Sequence, residues 1–99
     1  MGYRIVLAPQ ADDDLAAIVA FIAQDSQQAA IRIGDELVDA AFSLNEMPFR
    51  GAPVRNRSDT RKLIHLHYLI IYRVNDRERV VEILRFWDGR KDPKKLSLG

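Results

Sequence analysis

The sequence predicts an α+β fold in which a helical hairpin packs on a small, mainly antiparallel sheet. Three observations predict it. Residues 11–44 place apolar side chains at helical spacing, and residues 63–87 place them at strand spacing. Short polar breaks, Asp25-Ser26 and Asn75–Glu78, divide each half in two. The strands form the floor on which the two one-sided helices must bury their apolar stripes.

Tyr3–Leu7 is a short strand candidate, bounded by Pro9, which suits the first turn of a helix because its missing N–H costs nothing there. Ala11, Leu15, Ile18, Val19 and Ile22 then share one helix face. Asp12, Asp13 and Asp14 fall where carboxylates favour the positive end of the helix macrodipole. Their spacing argues against convergence on a hard metal ion, so the expectation is capping. Ser26 offers the N-cap of a second helix, with Ala30, Ile33, Leu37, Ala41 and Leu44 as its inner stripe. Ile31, Val38 and Phe42 widen that stripe, and core packing is favoured over partner docking for them. Pro48 stops the helix. So short a break between the helices makes an antiparallel hairpin.

Phe49–Thr60, with Gly51 and Pro53, reads as a surface loop carrying Arg50, Arg55 and Arg57. Leu63–Leu66 can supply one strand. Tyr68, Ile70, Tyr72 and Val74 alternate with Leu69, Ile71 and Arg73 as a second strand with one well-buried face. Asn75–Glu78 is a turn, and Val80–Trp87 resumes as an antiparallel partner. Asp88–Lys95 is a basic tail without periodicity, which Leu96 and Leu98 either pin down or leave to fray.

Ninety-nine residues imply one domain over 1–99, burying about two-thirds of its unfolded surface. Apolar residues make up 47% and charged residues 29%, an ordinary soluble balance. No run approaches a membrane span, no signal-peptide core is present, and there is no cysteine. A cytoplasmic location is expected. The net charge of +1 hides an asymmetry, −6 over residues 1–49 and +7 over residues 50–99. That split predicts an acidic helical side and a basic sheet-and-loop side able to steer a polyanion or an acidic protein segment.

The chain has no phosphate-cradling glycine loop, nucleophile elbow or zinc-type helical pair. His65 and His67 would share a strand face, but no third ligand stands out, so neither metal nor cofactor is expected. The remaining feature is cationic. Arg61, Lys62, Arg85, Arg90 and Lys91 should lie at or just past strand ends, close together, where guanidinium groups can clamp phosphate or carboxylate. Tyr68, Tyr72 and Trp87 offer rings for base stacking unless the core takes them, and Glu82 and Asp88 can neutralise part of the charge.

Taken together, Ala11-x-x-Asp14-Leu15-x-x-Ile18-x-x-x-Ile22-Ala23, Pro48-x-x-Gly51, Arg61-Lys62-Leu63, Tyr68-x-Ile70-x-Tyr72-Arg73, Val81-x-Ile83-Leu84 and Gly89-Arg90 resemble the RelE/ParE superfamily of bacterial toxins. The resemblance implies a β-α-α-β-β-β domain, the order read from the residues. It also implies a cytoplasmic type II toxin whose cognate antitoxin folds a C-terminal segment across it. RelE-like relatives are ribosome-dependent mRNA endoribonucleases. On that branch Lys62, Arg90 and Arg85 would be the catalytic cations. Leu69, however, stands where those nucleases often carry arginine, and the tail has no terminal His or Tyr for proton transfer. ParE-like relatives are non-enzymatic inhibitors of DNA gyrase, and Leu84–Pro93 is similar to their last strand and tail. The resemblance therefore favours the ParE-like branch. There Arg61, Lys62, Arg85, Arg90 and Lys91 bind target or antitoxin, with no catalytic residue expected. The ribonuclease is the alternative, and a family member that has lost toxicity is a third reading.

Overall fold

A computed structural model of the chain, which describes residues 2–98, places both helices where the apolar stripes lie. Strand β1 (Arg4–Leu7) leads directly into α1 (Pro9–Ala23), with Pro9 in its first turn, and α2 (Gln27–Phe42) follows. Ser26 caps α2, its Oγ accepting from the Ala29 N–H at 3.1 Å. Ala30, Ile33, Leu37, Ala41 and Leu44 are all buried, as their spacing requires. Leu37 and Leu44 are fully buried, each contributing about 1.5–3 kcal/mol of transfer free energy.

Strands β2 (Ala52–Val54), β3 (Arg57–His65), β4 (Tyr68–Asn75) and β5 (Val80–Asp88) complete one five-stranded sheet in the order β1-β5-β4-β3-β2. Only the β1–β5 pair is parallel. The fold is the RelE/ParE-like α+β arrangement with one short strand added. The segment expected to be a loop contains β2 and the start of β3, joined through Asn56 at φ 65°. Gly51 and Pro53 disguise β2, because proline is tolerated on an edge strand. Arg61 and Lys62 consequently sit in the middle of β3, not at a strand end.

The sheet carries buried residues on both faces. Ile70, Tyr72, Val81, Ile83 and Phe86 meet the helices. Ile71, Leu84 and Trp87 form a second cluster on the opposite face, covered by Leu96 and Leu98 of the tail. The two leucines thus pin the tail, and Asp92 caps its short Pro93–Lys95 turn by accepting from the Lys94 N–H. Burial of Ile70, Ile71 and Tyr72 in succession departs from the expected single buried face of β4, and the tail is the reason.

Three further expectations change. The N-cap of α1 is Ala8, which makes no side-chain cap bond, so the aspartates do not cap it. Ile31 is 61% and Phe42 48% exposed, so the core does not take the widened edge of α2. β3 ends at His65, and Leu66 and His67 form the turn, with Leu66 at φ 57°. The two histidines therefore do not share a strand face. His65 Nε2 lies 2.8 Å from Glu36 Oε1 and ties β3 to α2, whereas the His67 ring packs on Tyr68.

Two predictions come from these contacts. The Gly51 N–H donates to the buried Tyr72 hydroxyl at 2.9 Å, and a Cβ on residue 51 would stand 2.5 Å from that oxygen. Gly51→Ala should cost about 1–3 kcal/mol by overpacking. Tyr72→Phe should cost a similar ~1–3 kcal/mol by orphaning the amide. Urea unfolding measures both. The second concerns Glu36, whose carboxyl is held below its ordinary pKa, first by the His65 hydrogen bond. A depressed carboxyl adds stability above its unfolded pKa and loses it as pH falls through the folded value. In His65→Ala the Glu36 carboxyl should titrate higher by ¹³C NMR, and the acid limb of the stability profile should shallow.

Candidate functional site

The site begins where β1 gives out. Leu7 is the last β1 residue paired to β5, opposite Ile83, and the Ala8 N–H donates to the Ile83 carbonyl at 2.9 Å before α1 turns away. Arg85–Asp88 consequently has β4 on one side and no strand on the other. The register slips there: Ile71 pairs with Arg85 and Tyr72 with Ile83, leaving Leu84 as the extra residue of a bulge that bends β5.

Asp14 of α1 stands in for the missing strand. Its Oδ2 accepts from Arg85 Nε at 2.7 Å and from the Phe86 backbone N–H at 3.1 Å, and its Oδ1 accepts from Arg85 Nη2 at 3.0 Å. Both side chains are nearly buried, 11% and 12% exposed. The bidentate fork holds the Arg85 guanidinium firmly charged, the Asp14 hydrogen bond being the leading cause. Arg85 Nη1 also donates to the Ser97 carbonyl at 2.8 Å, so one side chain links α1, β5 and the tail.

The five cations expected to cluster are divided between two places. Arg85, Arg90 and Lys91 line a groove of about 400 Å³ between α1 and the end of β5. Lys62 lies two strands away, in one cross-strand row with Ile71 and Arg85. Arg61 is in the next row, and its Nη1 donates to the carbonyls of Phe49 and Gly51 at 3.1 and 2.7 Å. Its guanidinium also covers the Phe49 ring at 5.2 Å. Arg90 forks onto Asp88 through Nη2 and Nε at 2.9 and 3.1 Å, a contact that holds the Asp88 carboxyl below its usual value. The Lys91 ammonium stands 6.0 Å from the Trp87 ring and is exposed.

Ala17, Ile18 and Phe21 form the helical wall of the groove, with Phe21 66% exposed. Tyr68, Phe86 and Trp87 line it from the sheet. Sequence reasoning missed Asp14 and Phe21 as site residues. The signal was present: Asp14, Ala17, Ile18 and Phe21 stand at i, i+3, i+4 and i+7, a second stripe beside the core stripe. Tyr68, Tyr72 and Trp87 are 5%, 0% and 9% exposed, which removes all three as base-stacking platforms. The row Ile64–Leu69–Trp87 gives the outer sheet face an apolar band, and among the described residues no three His, Asp or Glu side chains converge there.

The Asp14–Arg85 pair supports one prediction. Asp14→Ala would leave a nearly buried guanidinium uncompensated and the Phe86 amide without its acceptor. The expected loss is about 3–5 kcal/mol, measured by urea unfolding. Replacing both residues with apolar ones should lose less.

The family model describing the ParE toxin of the type II toxin–antitoxin system parDE matches residues 5–93. No curated protein matches. Among solved structures, the chain is similar to the RelBE2 toxin–antitoxin complex of Mycobacterium tuberculosis. There the identity is 26% and the TM-score 0.71, covering 89% of this chain and 99% of that one. It is also similar to the chromosomal ParDE system of P. aeruginosa, at 19% identity and TM-score 0.70 over 87% and 95% of the two chains. A mutant of E. coli toxin RelE in the free state gives 17% identity and TM-score 0.68 over 91% and 86%. The extent of the family match settles membership: this chain belongs to the ParE toxin family of type II toxin–antitoxin systems.

Proposed function

We propose that this toxin acts in the cytoplasm by binding DNA gyrase, without cutting RNA, and is held inactive by a cognate antitoxin. The observation that carries the reading is how its cations and histidines are engaged. Cleavage by a ribose 2′-hydroxyl needs a proton acceptor, a donor to the leaving oxygen and free positive charge for the phosphorane. Here Arg85 is committed to Asp14 and Arg90 to Asp88. His65 is committed to Glu36, and His67 packs on Tyr68. Between Lys62 and the groove lie Leu69 and Ile71, not an acid–base pair. A protein surface used for binding requires none of those groups. The antitoxin rests on the similar RelBE2 structure being a toxin–antitoxin complex.

The competing ribonuclease reading is favoured by one feature, the exposed Lys62 in the middle of β3. Inducing the gene alone should arrest growth, and the purified protein should inhibit supercoiling by gyrase. Primer extension on cellular mRNA should show no new 5′ ends. Cleaved mRNA with intact supercoiling would overturn the proposal in favour of the ribonuclease, and harmless expression would overturn both.

A further inference from the structure

The β2–β3 ribbon concentrates positive charge that its own neighbours do not neutralise. Residues 50–62 hold five arginines or lysines and one aspartate, a net +4 in a chain whose total is +1. Elsewhere in the basic half Arg73, Arg85 and Arg90 each face a carboxylate. Among the described residues Arg55, Arg57 and Lys62 make no ion pair, and Asp59 accepts from the Thr60 hydroxyl. Arg50 donates to Ser43 Oγ and Arg61 to the carbonyls of Phe49 and Gly51, neutral acceptors that leave both charges intact.

Geometry makes that charge usable. Asn56, left-handed at φ 65°, closes a two-residue turn between Val54 and Arg57, which puts Arg55 and Arg57 at the tip. β4 pairs with β3 from Thr60 onward, so the tip stands past the paired sheet. The base of the ribbon is fixed, because the Gly51 N–H is bonded to the buried Tyr72 hydroxyl and Arg61 ties the Gly51 carbonyl. A ribbon already held in place loses little conformational freedom when it is bound.

Composition selects the partner. An acidic peptide needs apolar anchors beside the charge, and residues 50–62 offer Ala52, Pro53 and Val54 alone. A single strand of nucleic acid needs rings to stack on, and this stretch has none. A duplex asks for neither. It presents dense phosphate to guanidinium groups, and its major groove, about 12 Å wide, admits a two-stranded ribbon. The acidic half of the chain, at −6, favours approach with the ribbon foremost.

We infer that the β2–β3 ribbon is a sequence-independent contact for duplex DNA, with Arg55, Arg57 and Lys62 on the phosphates. This contact goes beyond the binding of gyrase and does not depend on it. Where both operate, the toxin grips the DNA as well as the enzyme that handles it.

The test is fluorescence anisotropy of labelled nucleic acid with the purified full-length toxin and no gyrase. Two duplexes of unrelated sequence should bind alike, with Kd about 10⁻⁴–10⁻⁶ M at physiological salt. Arg55→Ala/Arg57→Ala should weaken binding about tenfold or more and shallow the slope of log K against log salt by about 1.8. Both side chains are exposed, so unfolding by urea should not change. Lys94→Ala/Lys95→Ala removes the same charge from the tail and should bind as the parent does. Duplex binding that the tip variant retains, or loses no more than the tail variant does, would overturn the assignment. A parent that binds no duplex would overturn it too. Each of these failures leaves the gyrase reading standing, because supercoiling is assayed separately. Tighter binding of a single-stranded RNA than of either duplex, lost in the tip variant, would assign the ribbon to RNA and overturn the proposal.

Discussion

One carboxylate, Asp14, anchors the first helix of this toxin to its last strand. β1 is too short to flank the whole of β5, so the sheet needs something to satisfy the end of that strand. Asp14 does so from the helix, accepting a backbone amide and a guanidinium together. Because the pair is nearly dry, its geometry matters more than its gross attraction. A buried ion pair contributes little net stability but penalises any arrangement that separates its members. The clamp therefore specifies where α1 lies against β5, and with it the shape of the groove.

The allocation of positive charge follows from the same economy. A net charge of +7 over residues 50–99 suggested a broad basic face. Folding ties down several of its cations: Arg85 on Asp14 of the acidic half, Arg73 on Glu82 and Arg90 on Asp88 within the basic half, and Arg61 on loop carbonyls. Other cations of that half face solvent. Lys91 borders the groove, Lys62 stands on the outer face, and Arg55 and Arg57 crown the β2–β3 turn, all exposed. For a protein that must meet a specific partner, a few uncompensated charges beside apolar surface give more discrimination than a uniform field.

Much of the fold was legible because its signals are local. The Ser26 cap, the stripe from Ala30 to Leu44, the Asn75–Glu78 turn and the tail leucines need only a few neighbouring residues to be read. What escaped was set by distance or by mixed signals. Asp14 looks like a helix-start aspartate until Arg85, 71 positions later, is brought beside it. β2 is three residues long and contains a proline, so nothing in its pattern distinguishes it from loop. The histidine pair looked like alternating strand residues because a left-handed Leu66 at the turn leaves no trace in hydropathy. The groove was half legible: its cations were identified, whereas Phe21 lies outside the core stripe and was not singled out.

Arg85 is shared between the Asp14 clamp and the carbonyl of Ser97. The final residues are thereby wired to the helix that shapes the groove, although they lie past the stretch the family model matches. A stop codon after Lys95 would strip Leu96 and Leu98 from Ile71, Leu84 and Trp87 and free one arm of the arginine. Late nonsense changes in this gene are thus not silent trims. They would wet a hydrophobic face and loosen the helix from a direction in which no helix residue has changed.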